Sequence, residues 1–305
     1  MSIKTANDSH KRGNVTKFAR LAFVLVTAAF FVIFDMGLPV ASALKIRLYT
    51  NNIRYDNKNL VSGEHSWSER EPLVTESIRF HTQAGPSVVC LQEVLRNQLE
   101  DILGDLNSEN KNEWDYYGVG RTDGKYKGEY APILYRNADW NAVEKKTYWL
   151  SPTPDKPSKG WDAALERIVT TVILESKHNG QRVKVLNTHF DHKGVEARRE
   201  SVKLIMSKME SGPEPPFLCG DFNTEPKDEP YKLLSKSGFK DSRVQGKTYG
   251  YKSTFSDFNR QHEANTIIDY IWAGDHSQWH TYGVVPNYFD FYMSDHRPVI
   301  ADYTI

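Results

Sequence analysis

Between residues 44 and 305 the apolar positions switch repeatedly between two periods, two residues and between three and four. Lys45–Thr50 alternates as a half-buried strand does and runs out at Asn51-Asn52. Ser68 followed by Glu71 has capping-box spacing and predicts a helix carrying Leu73, Val74, Ile78 and His81. Ser87-Val-Val-Cys-Leu91 reads as a short buried strand with Gln92-Glu93 at its end, and Leu95, Leu99, Ile102, Leu103 and Leu106 then recur at helical spacing. Strands are expected near 114–119, 131–136, 143–150, 168–175 and 182–188. A helix around 195–210 carries Val202, Ile205, Met206 and Met209 on one stripe. Pro216–Cys219 predicts a buried strand, followed by a short helix near 229–236 and strands near 267–273 and 298–303. Strand–helix–strand units at both ends around a strand-rich middle imply an α/β class: two packed β-sheets flanked by helices, a four-layer α/β/β/α sandwich.

The first 43 residues follow another pattern. Lys4, Lys11, Arg12, Lys17 and Arg20 precede Leu21–Phe34, which lacks charge and proline, and Ala41-Ser42-Ala43 comes after. A basic start, a short apolar stretch and an Ala-x-Ala site have the layout of a secretory signal peptide over residues 1–43, which leaves a domain at 44–305 and implies secretion. The alternative is an uncleaved type II membrane anchor, because extending the stretch to Leu44 reaches spanning length if Asp35 is tolerated. The chain has 39 basic and 39 acidic residues, of which residues 1–43 hold five and two, so the remainder is about three charges negative. That balance speaks against coating extended duplex nucleic acid through bulk charge. Cys90 and Cys219 both fall in expected strands and read as buried thiols, with a single bridge between them as the alternative.

Polar residues then stand where strands give out. Asp221 and Asn223 follow an apolar run, and period-two alternation would turn both to one side. Asp295-His296 sits just before Pro298–Ala301. Oxygen-rich strand ends suit a hard divalent cation and a phosphate. In chain order the set is Asn52, Gln92-Glu93, Asn187-Thr188-His189, Asp221-Phe222-Asn223, Asp269 and Asp295-His296.

This set, over roughly residues 45–305, resembles the endonuclease/exonuclease/phosphatase superfamily. Leu218–Pro226 with Tyr231 and Leu234 looks most like the carbon-catabolite-repression type deadenylase branch, and Asn52–Asp56 through Gly160–Ala164 is similar to a secreted group related to it. Tyr270 stands where the inositide phosphatase branch would carry an arginine. The resemblance implies a hydrolase that uses Mg²⁺ or Mn²⁺. Glu93 and Asn52 would hold the ion, with Asp295 touching it or a second one. Asp221 would orient or activate the attacking water, and Asn223 would donate to phosphate. His296, held by Asp269, would stabilise charge on the phosphoryl oxygens. His189 falls on the leaving-group side, with Glu129 able to orient it. Arg167 resembles a phosphate-facing arginine, with an ordinary ion pair as the alternative; Asp191 and His192 read as loop-facing polar residues.

The leading expectation is a secreted phosphodiesterase or phosphomonoesterase, with the diesterase favoured and water attacking phosphorus. Its substrate is small or short, the protein is a monomer, and membrane contact arises only if the N-terminal segment is retained. The alternatives are a catalytically inactive binding module of the same fold and a single-stranded polynucleotide nuclease. The loops at 118–130 and 151–166 would sit over the strand ends and set specificity.

Overall fold

The computed structural model describes residues 43–259, 266–275 and 277–305. The expected signal segment lies, except for Ala43, outside the described residues. Among the described residues no helix is long and apolar enough to cross a membrane.

Among the described residues fifteen strands carry the fold: β1 Lys45–Asn52, β2 Ser87–Gln92, β3 Trp114–Tyr117, β4 Ile133–Arg136, β5 Trp140–Trp149, β6 Ile168–Ser176, β7 Arg182–His189, β8 Pro216–Asp221, β9 Lys240–Asp241, β10 Thr248–Gly250, β11 Asp269–Ala273, β12 Gln278–Val284, β13 Tyr288–Phe289, β14 Phe291–Tyr292 and β15 Val299–Thr304. The helices are α1 Trp67–Thr82, α2 Arg96–Leu106, α3 Val195–Met209 and α4 Glu229–Ser235. One sheet has the order β10-β12-β15-β1-β2-β4-β3, a second β5-β6-β7-β8-β11-β9, and β13 and β14 pair apart from both. Their inner faces meet through Leu48, Val88, Val172, Val185, Phe217 and Val299, among others. Helices α1 and α2 cover the outside of the first sheet through Val74, Ile78, Leu99 and Ile102. The outer face of the second sheet packs on Val202 and Ile205 of α3 and Leu234 of α4. This is the expected four-layer α/β/β/α sandwich. Cys90 and Cys219 are free thiols at its centre, and burial first, then the neighbouring Cys219, pushes the Cys90 thiol far above its ordinary value.

Three local expectations need correcting. The first helix begins at Trp67, and its capping box uses Ser66 and Glu69 rather than Ser68 and Glu71. Strand β12 goes unannounced, because a bulge between Trp279 and Thr281 breaks the alternation that would reveal it. The reactive groups also do not all end strands. Asp269 opens β11, while Asp295 and His296 precede β15. Both strands run antiparallel to their neighbours, β11 to β8 and β15 to β1, so their starts share an edge with the ends of β8 and β1.

Candidate active site

Register places the chemistry. In the second sheet His189 pairs with Asp221 and Asp221 pairs with Asp269, which sets three functional groups side by side across β7, β8 and β11. Gly220 lets this happen. A Cβ there would lie 2.1 Å from the Thr188 carbonyl oxygen, so β7 and β8 approach this closely only with glycine. In the first sheet Asn52 pairs with Gln92, which delivers Asn52 and Glu93 to the same edge. Gln92 and Asn187 bolt the sheets together beneath the site: Gln92 Nε2 donates to Asn187 Oδ1 at 2.7 Å, and Asn187 Nδ2 donates to the Leu91 and Pro132 carbonyls. Their place in the motif series therefore reflects assembly.

The edge opens into a cavity of about 620 Å³ lined by, among others, Arg54, Glu93, Arg167, His189, Asp221, Asn223, Asp295 and His296. Nearly every expected residue is thus brought together. Asn52, fully buried, sits just beneath: its amide nitrogen donates to Glu93 Oε1 and to Asp221 Oδ2, each at 3.0 Å, and its oxygen accepts the Arg54 N–H. Asn223 reaches the site by a route other than strand alternation. It lies beyond β8 at φ 45°, its N–H donates to Asp221 Oδ1, and its amide nitrogen donates to the Phe190 carbonyl and to His189 Nε2.

The two histidines are in opposite states. His296 Nδ1 donates to both Asp269 oxygens, at 2.9 and 3.1 Å. Burial opposes its charge, but Asp269 and Asp221 outweigh burial and hold the imidazole well above its ordinary value, so it is an imidazolium at neutral pH. His189 is lowered to about 3, first by burial and next by Arg167, against the pull of Asp221 and Glu93. Its 3.4 Å approach to Asp221 is accordingly not an ion pair at neutral pH. Because Nε2 accepts from Asn223, the His189 proton sits on Nδ1. Burial raises the Asp221 carboxyl, and the two histidines oppose that rise.

The donor set fits a hard divalent cation on the Glu93 side. Burial pushes the Asp295 carboxyl up to about 6, with His296 and Arg54 opposing and Glu93 adding to the rise. A buried carboxylate whose charge is disfavoured beside a second acid and an open cavity is what a cation relieves. Asp221, Asp269 and His296 also have donor atoms within 4.8 Å of one another. There, however, His296 Nδ1 is already committed to Asp269, so that triad reads better as a hydrogen-bonded dyad facing a second carboxylate, Asp221.

Arg167, buried and on the cavity wall, has its Nε on Asp191 at 3.3 Å and its Nη2 against His192 Nδ1 at 3.1 Å. Asp191 also accepts the backbone N–H of Leu165, Lys193 and Gly194, so it anchors the turn into α3 and fixes this arginine. Sequence reasoning missed three arginines. Arg70, 1% exposed, donates to the carbonyls of Ile53, Arg54, His65 and Met293 and pins the two turns that present Asn52 and Asp295. Arg54 lines the cavity while paired to Glu64. Arg121 binds Glu129 through both nitrogens. Their partners are backbone carbonyls and loop acids eight or ten residues away, which leave no motif spacing to read. Arg54, Glu93, Asn223 and Asp257 all line the cavity with positive φ, between 45° and 59°. Such left-handed backbone costs about 1–3 kcal/mol for a residue other than glycine and gathers at functional sites.

Residues 73–296 match the Endonuclease/Exonuclease/phosphatase family. Among solved structures, the chain is 32% identical to an endonuclease/exonuclease/phosphatase family protein of Bacteroides thetaiotaomicron, covering 87% of this chain and 99% of that one with a TM-score of 0.80. It is also 32% identical to a mannosyl-6-phosphatase of the same species, covering 85% and 100% with a TM-score of 0.77. Among curated proteins, it is 21% identical to the CCR4-Not complex 3'-5'-exoribonuclease subunit of Aspergillus niger over 79% of this chain. It spans only 48% of that relative's length.

Proposed function

This chain belongs to the endonuclease/exonuclease/phosphatase family, and we propose that it hydrolyses a small phosphate ester with the help of a divalent metal ion, Mg²⁺ or Mn²⁺. The observation that carries the reading is the meeting, in one cavity of about 620 Å³, of an imidazolium dyad, a buried carboxylate held by Asn52, and a second pair of acids suited to a cation.

In this reading Glu93 and Asp295 hold the ion, with Asn52 fixing Glu93. When bound, the ion polarises the phosphoryl oxygens and offsets their charge. The chain's own residues do the rest. Asp221, its Oδ1 and Oδ2 fixed by the Asn223 N–H and the Asn52 amide, orients the attacking water. His296 donates through Nε2 to a phosphoryl oxygen, and Asp269 keeps it charged for that purpose. Arg167, immobilised by Asp191, faces the phosphate from the opposite side. His189, neutral with its Nε2 accepting from the Asn223 amide, takes a place beside the leaving group.

The mannosyl-6-phosphatase relative favours a sugar phosphate monoester as the first substrate to try. The exoribonuclease relatives keep a short phosphodiester as the second reading. Secretion through residues 1–43 is part of the proposal and rests on the sequence pattern alone. The test is a hydrolysis screen of the purified protein with Mg²⁺ or Mn²⁺ on sugar phosphates, sugar phosphodiesters, inositides, sphingomyelin and short RNA and DNA. Turnover of a small ester, abolished by chelation and by Asp221→Asn, is expected. Turnover of long polymers alone would defeat the small-substrate reading, and metal-independent turnover would defeat the mechanism.

A further inference from the structure

Behind His189 lies a second acid–imidazole arrangement that does not close. Glu129 Oε2 stands 3.7 Å from His189 Nδ1, beyond hydrogen-bond reach. Both Glu129 oxygens are instead taken by Arg121, Nη1 to Oε2 at 2.8 Å and Nη2 to Oε1 at 2.7 Å. Arg121 is 9% exposed, and its loop is tied down by its own N–H to the Glu129 carbonyl and by the Trp149 indole on its carbonyl. Between these groups is a small, half-open space of about 10 Å³ lined by Arg121, Glu129, Arg167 and His189, among others. Two buried nitrogens there, Arg167 Nη1 and His189 Nδ1, lack a hydrogen-bond partner within the protein. A buried N–H left unpaired costs about 1–3 kcal/mol, and about 10–15 Å³ of such space is room for one water.

We propose that Arg121 is a positioning residue: by occupying both oxygens of Glu129 it withholds that carboxylate from His189, so that the two are joined only through one buried water. The water accepts from Arg167 Nη1 and His189 Nδ1 and donates to Glu129 Oε2, which gives it three partners, the usual number for a buried water. The tautomer agrees, since Asn223 occupies Nε2 and leaves the proton on Nδ1. His189 is faced by Asp221 from β8, Glu93 from the end of β2, Arg167 at the head of β6, and Arg121 and Glu129 from the loop. With Glu129 neutralised by Arg121, the charges left to favour an imidazolium do not overcome burial and Arg167. The site thereby keeps one charged histidine, clamped by its own aspartate, and one neutral histidine whose Nε2 is held by the Asn223 amide. The consequence for catalysis rests on the proposed function; the geometry does not, and the test separates the two.

The experiment is an NMR titration of the histidine ring nitrogens in the full protein, with His189 assigned from a His189→Gln sample. In wild-type protein His189 should stay neutral down to the acid limit of folding. In Arg121→Gln, Glu129 is released toward Nδ1, and the His189 midpoint should rise by about 1–3 pH units, the effect of an opposite charge at 4–6 Å. In Arg121→Gln/Glu129→Gln it should return to the wild-type position. Arg121→Lys, which keeps the charge but cannot hold both oxygens, should give a smaller rise and serves if the glutamine variant fails to fold. A crystal structure should show the water between the two side chains. An unchanged His189 midpoint in folded Arg121→Lys or Arg121→Gln would overturn the proposal. An equal shift in the double variant, or density for a direct Glu129–His189 bond in wild-type protein, would overturn it as well.

Discussion

Replacing Asp269 by Asn keeps the shape of the β11 edge and removes one charge. His296 Nδ1 then loses the carboxylate it meets at 2.9 and 3.1 Å, and with it the largest influence that favours its charge. Burial remains, and Asp221, whose Oδ2 is 3.7 Å from Nε2, remains as a weaker counter-charge. A hydrogen bond to a charged group contributes about 1.5–3 kcal/mol, or about 10–150-fold in rate if it acts only in the transition state. Each pH unit above the lowered midpoint multiplies that loss by about ten as the imidazolium disappears. Together these give a fall in kcat of about 10²–10³-fold near neutral pH. The sign of the pH effect follows from the same geometry: the variant should recover as pH falls, because protons replace the lost carboxylate in charging His296, whereas the wild-type rate should be flat over that range. The assay is steady-state kcat against pH for wild type, Asp269→Asn, His296→Ala and the double variant. The double variant should be scarcely worse than His296→Ala alone. Fully additive losses, or a variant profile parallel to the wild type, would refute the idea that the two residues act as one unit.

Three other outcomes are expected. Glu93→Gln should weaken Mg²⁺ binding, measured calorimetrically, by at least tenfold while leaving the metal-free protein folded; unaltered affinity would move the ion elsewhere. The Asp295 carboxyl is raised to about 6 from 3.8, so its contribution to stability is fully present below about 4 and is lost as pH rises through 6, by up to about 3 kcal/mol. Mg²⁺ bound to the ionised form should restore it, so the rise in Tm on adding Mg²⁺ should grow between pH 5 and 7; a rise that shrinks with pH would remove Asp295 from the metal set. If substrates are held near one phosphate, KM on an RNA oligomer should vary with salt as for about one or two phosphates, near −0.7 per contact, and a steep slope would instead indicate a polymer-tracking groove.

Most of the architecture was legible because burial writes itself as periodicity. Leu48, Val88, Val185 and Phe217 line the interior because strands fully buried between layers must be apolar on their inner face. The site was legible for a related reason: Asp221, Asp269 and His296 interrupt apolar runs that have no structural use for them. What could not be read depends on contacts distant in the chain or on backbone twist. Arg70 serves one carbonyl more than two hundred residues away, at Met293. Asn223 converges on Asp221 through a left-handed turn rather than by alternation, and Asp269 reaches the site only because β11 is antiparallel to β8. Gln92 and Asn187 looked like chemistry and proved to join the sheets.

The left-handed residues around the cavity also constrain how this protein can be improved. At Glu93 and Asp257 the backbone would relax with glycine or asparagine, each change releasing on the order of 1 kcal/mol of local strain, and Glu93→Asn would also relieve the carboxyl repulsion on Asp295. A selection for heat resistance alone would therefore be drawn to position 93 and would trade away the proposed metal ligand for a higher Tm. Gains in robustness without that trade should be sought far from the rim, for instance at the exposed Phe80 of α1 or Val195 at the start of α3, where no catalytic geometry is held in tension.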